Sequence, residues 1–78
     1  MEEINVLEIL GKNMHDIRFQ KNMSLQELAE KVNMDIETLR KFEAGEYAGA
    51  TVQQYVKIAK ALEVSFQKII KNIQFTEY

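Results

Sequence analysis

The chain has 78 residues, 46% of them apolar, with ten basic and twelve acidic side chains and a net charge of −2. That length holds one domain, and the apolar share excludes wholesale disorder. The absence of cysteine removes disulfides, thiolate metal sites and thiol catalysis, while the lack of any long apolar run leaves neither a membrane span nor a secretory segment and points to the cytoplasm.

The first predicted helix runs from about Asn5 to Gln20, where Val6, Leu10, Met14 and Ile17 line one face at helical spacing. Ser24 with Glu27 forms a capping box that opens a second helix, whose apolar side is Leu25, Leu28, Ala29 and Val32 and which ends at Asn33. Asp35 caps a third helix carrying Ile36, Leu39 and Phe42 and closing before Gly45. Thr51 and Gln54 make another capping box for a fourth helix, with Val52, Tyr55, Val56, Ala59 and Leu62 as its inward stripe. Ser65 opens a fifth helix bearing Phe66, Ile69, Ile70 and Ile73. The alternation through Ile73, Phe75 and Tyr78 leaves the tail open between strand and coil.

The expected fold is therefore all-α, a compact bundle of five helices. Residues 1–9 extend helix one, 10–72 form the domain and 73–78 a tail. Between Ser24 and Glu43 two short helices are joined by only Asn33, Met34 and Asp35, a turn tight enough to force a steep crossing. Spacing alone does not separate a helix-turn-helix from an ordinary bundle corner.

Leu10-Gly11 followed by Met14, Ile17 and Arg18, then Ser24 and Leu28-Ala29-Glu30-Lys31-Val32, is similar to the lambda-repressor-like (Xre/Cro-type) helix-turn-helix DNA-binding family. Met34-Asp35, Thr38-Leu39, Phe42-Glu43 and Gly45 resemble that family's recognition helix, and Thr51-Val52, Ile58-Ala59-Lys60-Ala61-Leu62 and Val64-Ser65 its later helices. The resemblance implies a helix-turn-helix at residues 24–43 and a regulator, expected to be a repressor, that binds a pseudo-palindromic site on double-stranded DNA as a homodimer. It also implies an ion pair between Arg18 and Glu43, tying helix one to the end of helix three, and a small residue at Ala29 where two helices cross.

By the same resemblance, Ile36, Glu37, Arg40 and Lys41 face the base edges, with Thr38 nearby. Arg40 or Lys41 can donate to guanine or a phosphate, Glu37 can accept from the cytosine amino group, and Ile36 can pack on a thymine methyl. The plainer alternatives are a solvated charged face for Arg40 and Lys41, and for Glu37 a helix-start acid favoured by the helix dipole. Phosphate anchors would come from Ser24, Leu25, Gln26, Thr51 and Gln53 at helix amino ends, and from Lys21. Tyr47 is either a further phosphate donor or a surface aromatic.

Several positions depart from the family pattern. Leu25 stands where glutamine is usual, Asn33 replaces the turn glycine, and the loop Glu46-Tyr47-Ala48-Gly49-Ala50 carries an acid and no base. Residues 1–50 hold six basic and ten acidic groups, a net of −4, against +2 (four and two) for residues 51–78. The acidic half is the one assigned to DNA, so a helix-turn-helix module that binds protein instead (an antitoxin, an anti-repressor or a DNA-mimicking inhibitor) is the alternative. Ile69, Ile73, Phe75 and Tyr78 are candidates for a dimer contact, or simply close the core. An enzyme is not expected: His15 is the only histidine, read as an exposed helix residue, and no cofactor or metal is implied.

Overall fold

Helix-ending chemistry sets the lengths of the elements in the computed structural model, which describes residues 6–73. Five helices follow in order, α1 (Val6–Gln20), α2 (Leu25–Val32), α3 (Ile36–Ala44), α4 (Val52–Ala61) and α5 (Phe66–Ile69), with no strand among the described residues. Both predicted capping boxes are present: Glu27 and Gln54 return to the backbone of Ser24 and Thr51, whose hydroxyls accept from the Glu27 and Gln54 amides. Asp35 accepts from the amides of Glu37 (3.0 Å) and Thr38 (3.3 Å), starting α3 one turn after α2 has stopped.

The first four helices stop alike. Asn22, Asn33, Gly45 and Glu63 all take left-handed φ of 55–73°. After each, the next amide reaches back to a carbonyl of the last turn, as Met34 does to Ala29 (2.9 Å) and Glu46 to Lys41 (2.9 Å). This satisfies carbonyls that a helix end leaves orphaned. Asparagine tolerates this conformation through local hydrogen bonding, whereas Glu63 has no such excuse.

The core is Leu10, Met14, Leu28, Ala29, Val32, Leu39, Phe42, Tyr55, Ile58, Ala59, Leu62 and Ile69, all buried. Phe42 is its centre: Tyr47 stacks on it at 4.8 Å between ring centroids and Tyr55 meets it edge-on at 5.3 Å. Gly11 lets α1 cross the carboxyl end of α3, and a Cβ there would sit 2.5 Å from the Phe42 carbonyl oxygen.

Three expectations need correction. Val52 belongs to the exposed side of α4 (65% exposed) and Val56 is only half-buried, while Ile58 takes the inward place. Helix five does not continue to Ile73. Its end is taken over by Asn13, a buried amide on α1 that donates to the carbonyls of Ile69 (2.8 Å) and Lys71 (2.7 Å) in place of intrahelical partners. Ile69 is no dimer contact, being fully buried. Phe75 and Tyr78, the other tail candidates, lie outside the described residues, and Ile73 packs half-buried against the core.

Candidate nucleic-acid interface

The second helix of the tight corner, α3, buries Leu39 and Phe42 and turns Glu37, Arg40 and Lys41 to solvent. Its position is fixed at both ends. Asp35 caps the amino end. Near the carboxyl end Glu43 receives a two-pronged contact from Arg18 on α1, Nε to Oε2 at 2.7 Å and Nη2 to Oε1 at 3.0 Å. Arg18 Nη1 also donates to the Met23 carbonyl (2.9 Å), so one guanidinium fastens α3, α1 and the turn before α2. Both side chains are nearly buried, at 13% and 10% exposure. Hydrogen bonding to Glu43 raises the Arg18 pKa above its ordinary value, outweighing the opposite pull of burial, so the guanidinium stays charged.

His15 joins this cluster, with Nδ1 3.1 Å from Glu43 Oε1 and 3.3 Å from Arg18 Nη2, and its ring stacks against Phe19 at 6.0 Å. It is half-exposed, as a surface helix residue should be. Its partnership had one sequence signal, the three-residue step from His15 to Arg18 that puts them on one helix face. Asn13 was likewise missed, although it falls in phase with Leu10 and Met14 and so marks a polar group facing inward.

Arg40 does not point freely outward. Its Nη1 donates to Glu37 Oε1 at 2.7 Å, one turn back on the same face. Lys41 is exposed and forms no ion pair among the described residues. Ile36 is half-buried and packs against the core, leaving only part of its side chain outward, and Thr38 is half-buried.

α2 precedes α3 along the chain and α4 follows it, and the first amides of each have no intrahelical acceptor. Leu25 is half-buried, with its side chain packed against the core. Gln26, Gln53 and Lys21 are exposed. Ser24 and Thr51 spend their hydroxyl oxygens as caps, and Thr51 also directs its hydroxyl to Gln54 Oε1 at 3.3 Å. Tyr47 is half-buried against Phe42, so its ring serves packing whatever its hydroxyl meets. Among the described residues no group of three His, Asp or Glu side chains converges as a metal site, and no helix is long and apolar enough to cross a membrane.

A helix-turn-helix family model matches residues 14–69, the span from Met14 on α1 through α5. The chain belongs to the lambda-repressor-like helix-turn-helix family. Solved helix-turn-helix structures superpose on it closely. The wild-type restriction-modification controller protein C.Esp1396I is 30% identical, with a TM-score of 0.76 over 88% of this chain and 95% of that one. The clp gene regulator ClgR from C. glutamicum is 25% identical, with a TM-score of 0.79 over 88% and 87%. The hypothetical transcription factor NHTF from Neisseria is 25% identical, with a TM-score of 0.77 over 83% and 74%. No curated protein sequence matches.

Proposed function

We propose that the protein is a DNA-binding transcription regulator, a repressor that reads the major groove of double-stranded DNA with α3. The observation that carries this reading is α3 itself, locked on its inner side by Leu39, Phe42 and the Arg18–Glu43 pair while Glu37, Arg40 and Lys41 face outward. A helix presented in this way fits the groove, and the amides opening α2 and α4 fit the phosphates on either side. The related controller and gene-regulator structures support the same role. A two-fold pair in the cytoplasm, reading a pseudo-palindrome, completes the proposal. Val6 and Val52, exposed at the rim of an apolar cleft of about 410 Å³ that Ile70 and Ile73 also line, are the candidates for pairing.

Gel shift against the region upstream of the protein's own gene, at two salt concentrations, tests this reading. A specific shift that weakens with salt is expected. Absence of any specific shift at low salt overturns it.

The net charge of −4 on residues 1–50 favours a second reading, a helix-turn-helix that binds a protein. A co-purifying protein partner, together with no specific shift, would establish that reading instead.

A further inference from the structure

We propose that Glu37 is a positioning residue for base recognition, holding one edge of the Arg40 guanidinium so that its other edge meets a guanine. The inference rests on the DNA-binding reading above. Arg40 Nη1 is committed to Glu37 Oε1 at 2.7 Å. That leaves Nε and Nη2, two parallel donors on one edge of the guanidinium. Arg18 uses this same edge to grip both oxygens of Glu43, at 2.7 and 3.0 Å. Guanine offers the equivalent pair of acceptors, O6 and N7, in the major groove.

The Glu37–Arg40 pair has little to do for the folded domain. Its side chains are 65% and 59% exposed, and an ion pair so open to water adds little stability. Its anchorage is nevertheless good. The Glu37 amide is held by Asp35 at 3.0 Å, and α3 is clamped at its far end through Glu43, so the carboxylate starts from a fixed point. Against DNA the two halves of the pair need each other. An unpaired carboxylate on the reading face would be repelled by the phosphates, and an unpaired arginine would search many rotamers before docking. When the groove excludes water the contact strengthens, because the surrounding dielectric falls. The pair is thus a reading head of zero net charge, specific without being adhesive.

The probe is a library of duplexes with a random core of about 20 base pairs, one operator's length for two half-sites. Selection is run with the full chain, Glu37→Gln and Arg40→Ala, each checked by thermal melt for an unchanged fold. Wild type is expected to enrich a motif with a guanine that Arg40→Ala no longer selects. Glu37→Gln should weaken the preference for that same guanine about three- to tenfold. It should also bind unselected duplex more tightly, since a negative charge has gone. A Glu37→Gln variant that keeps the full guanine preference overturns the inference. So does one that loses preference at a separate cytosine, which would make Glu37 a reader in its own right. A wild-type chain that enriches no motif sinks the DNA-binding reading itself, a result distinct from either.

Discussion

Arg18 meets three obligations at once: both Glu43 oxygens and the Met23 carbonyl. Removing it leaves a nearly buried carboxylate without its partner, which costs about 3–5 kcal/mol. Much of the stability of a domain this small would go with it. Arg18→Ala is therefore expected to lower the urea midpoint sharply. Arg18→Met combined with Glu43→Leu should be more stable than either single substitution, because no charge is then left unpaired. A double variant as unstable as the two losses added together would show that the two charges are not coupled, and that each single loss has another cause. Tyr55 gives a second measurement at this scale. Burial pushes its phenol above the ordinary 10.0, so the folded chain holds that proton more tightly than the unfolded one. The stabilisation is complete below the unfolded value and is lost as pH rises through the folded one. Urea midpoints between about pH 8 and about pH 11 should fall more steeply for wild type than for Tyr55→Phe.

The helices show what a sequence can and cannot reveal. Ser24 with Glu27 and Thr51 with Gln54 were legible because a capping box closes within four residues and needs no partner elsewhere. The Arg18–Glu43 contact was reachable only through the family resemblance. Gly11 was legible as a matching residue but not as a packing device, since its reason is a carbonyl on another helix. Asn13 was hidden likewise, its acceptors lying at the far end of the chain. The overlong fifth helix followed from the same omission: periodicity marks where a helix can run, not which amide will capture its carbonyls. Two substitutions test the element-level account. Gly11→Ala places a methyl against backbone that cannot rotate away, so it should destabilise by at least about 1–3 kcal/mol despite the better helix propensity of alanine. Glu63→Gly should act in the opposite direction. It relieves a left-handed glutamate at φ 60° and is expected to stabilise by about 0.5–1 kcal/mol. Thermal melts read both, and a stabilised Gly11→Ala would mean that α1 and α3 can separate at little cost.

For the whole molecule the decisive quantity is how charge is distributed. Of the lysines on the proposed DNA-facing side, Lys21 and Lys41 are exposed without ion pairs among the described residues, while Arg40 is neutralised by Glu37. Lys57 and Lys60 on α4, and Lys68 and Lys71 towards the carboxyl end, lie beyond the predicted contact residues. Two phosphate-neutralising lysines per domain make four in a two-fold pair. The affinity should then fall with salt at a log–log slope of about −4, or about −2 if one domain binds alone. Between about 50 and 200 mM salt the paired form would lose roughly a hundredfold in affinity and the single domain roughly tenfold. Measured with the selected operator, the slope counts the domains on the DNA. A slope much steeper than −4 would mean that further exposed lysines, Lys31 on α2 or Lys57 and Lys60 on α4, reach phosphate as well.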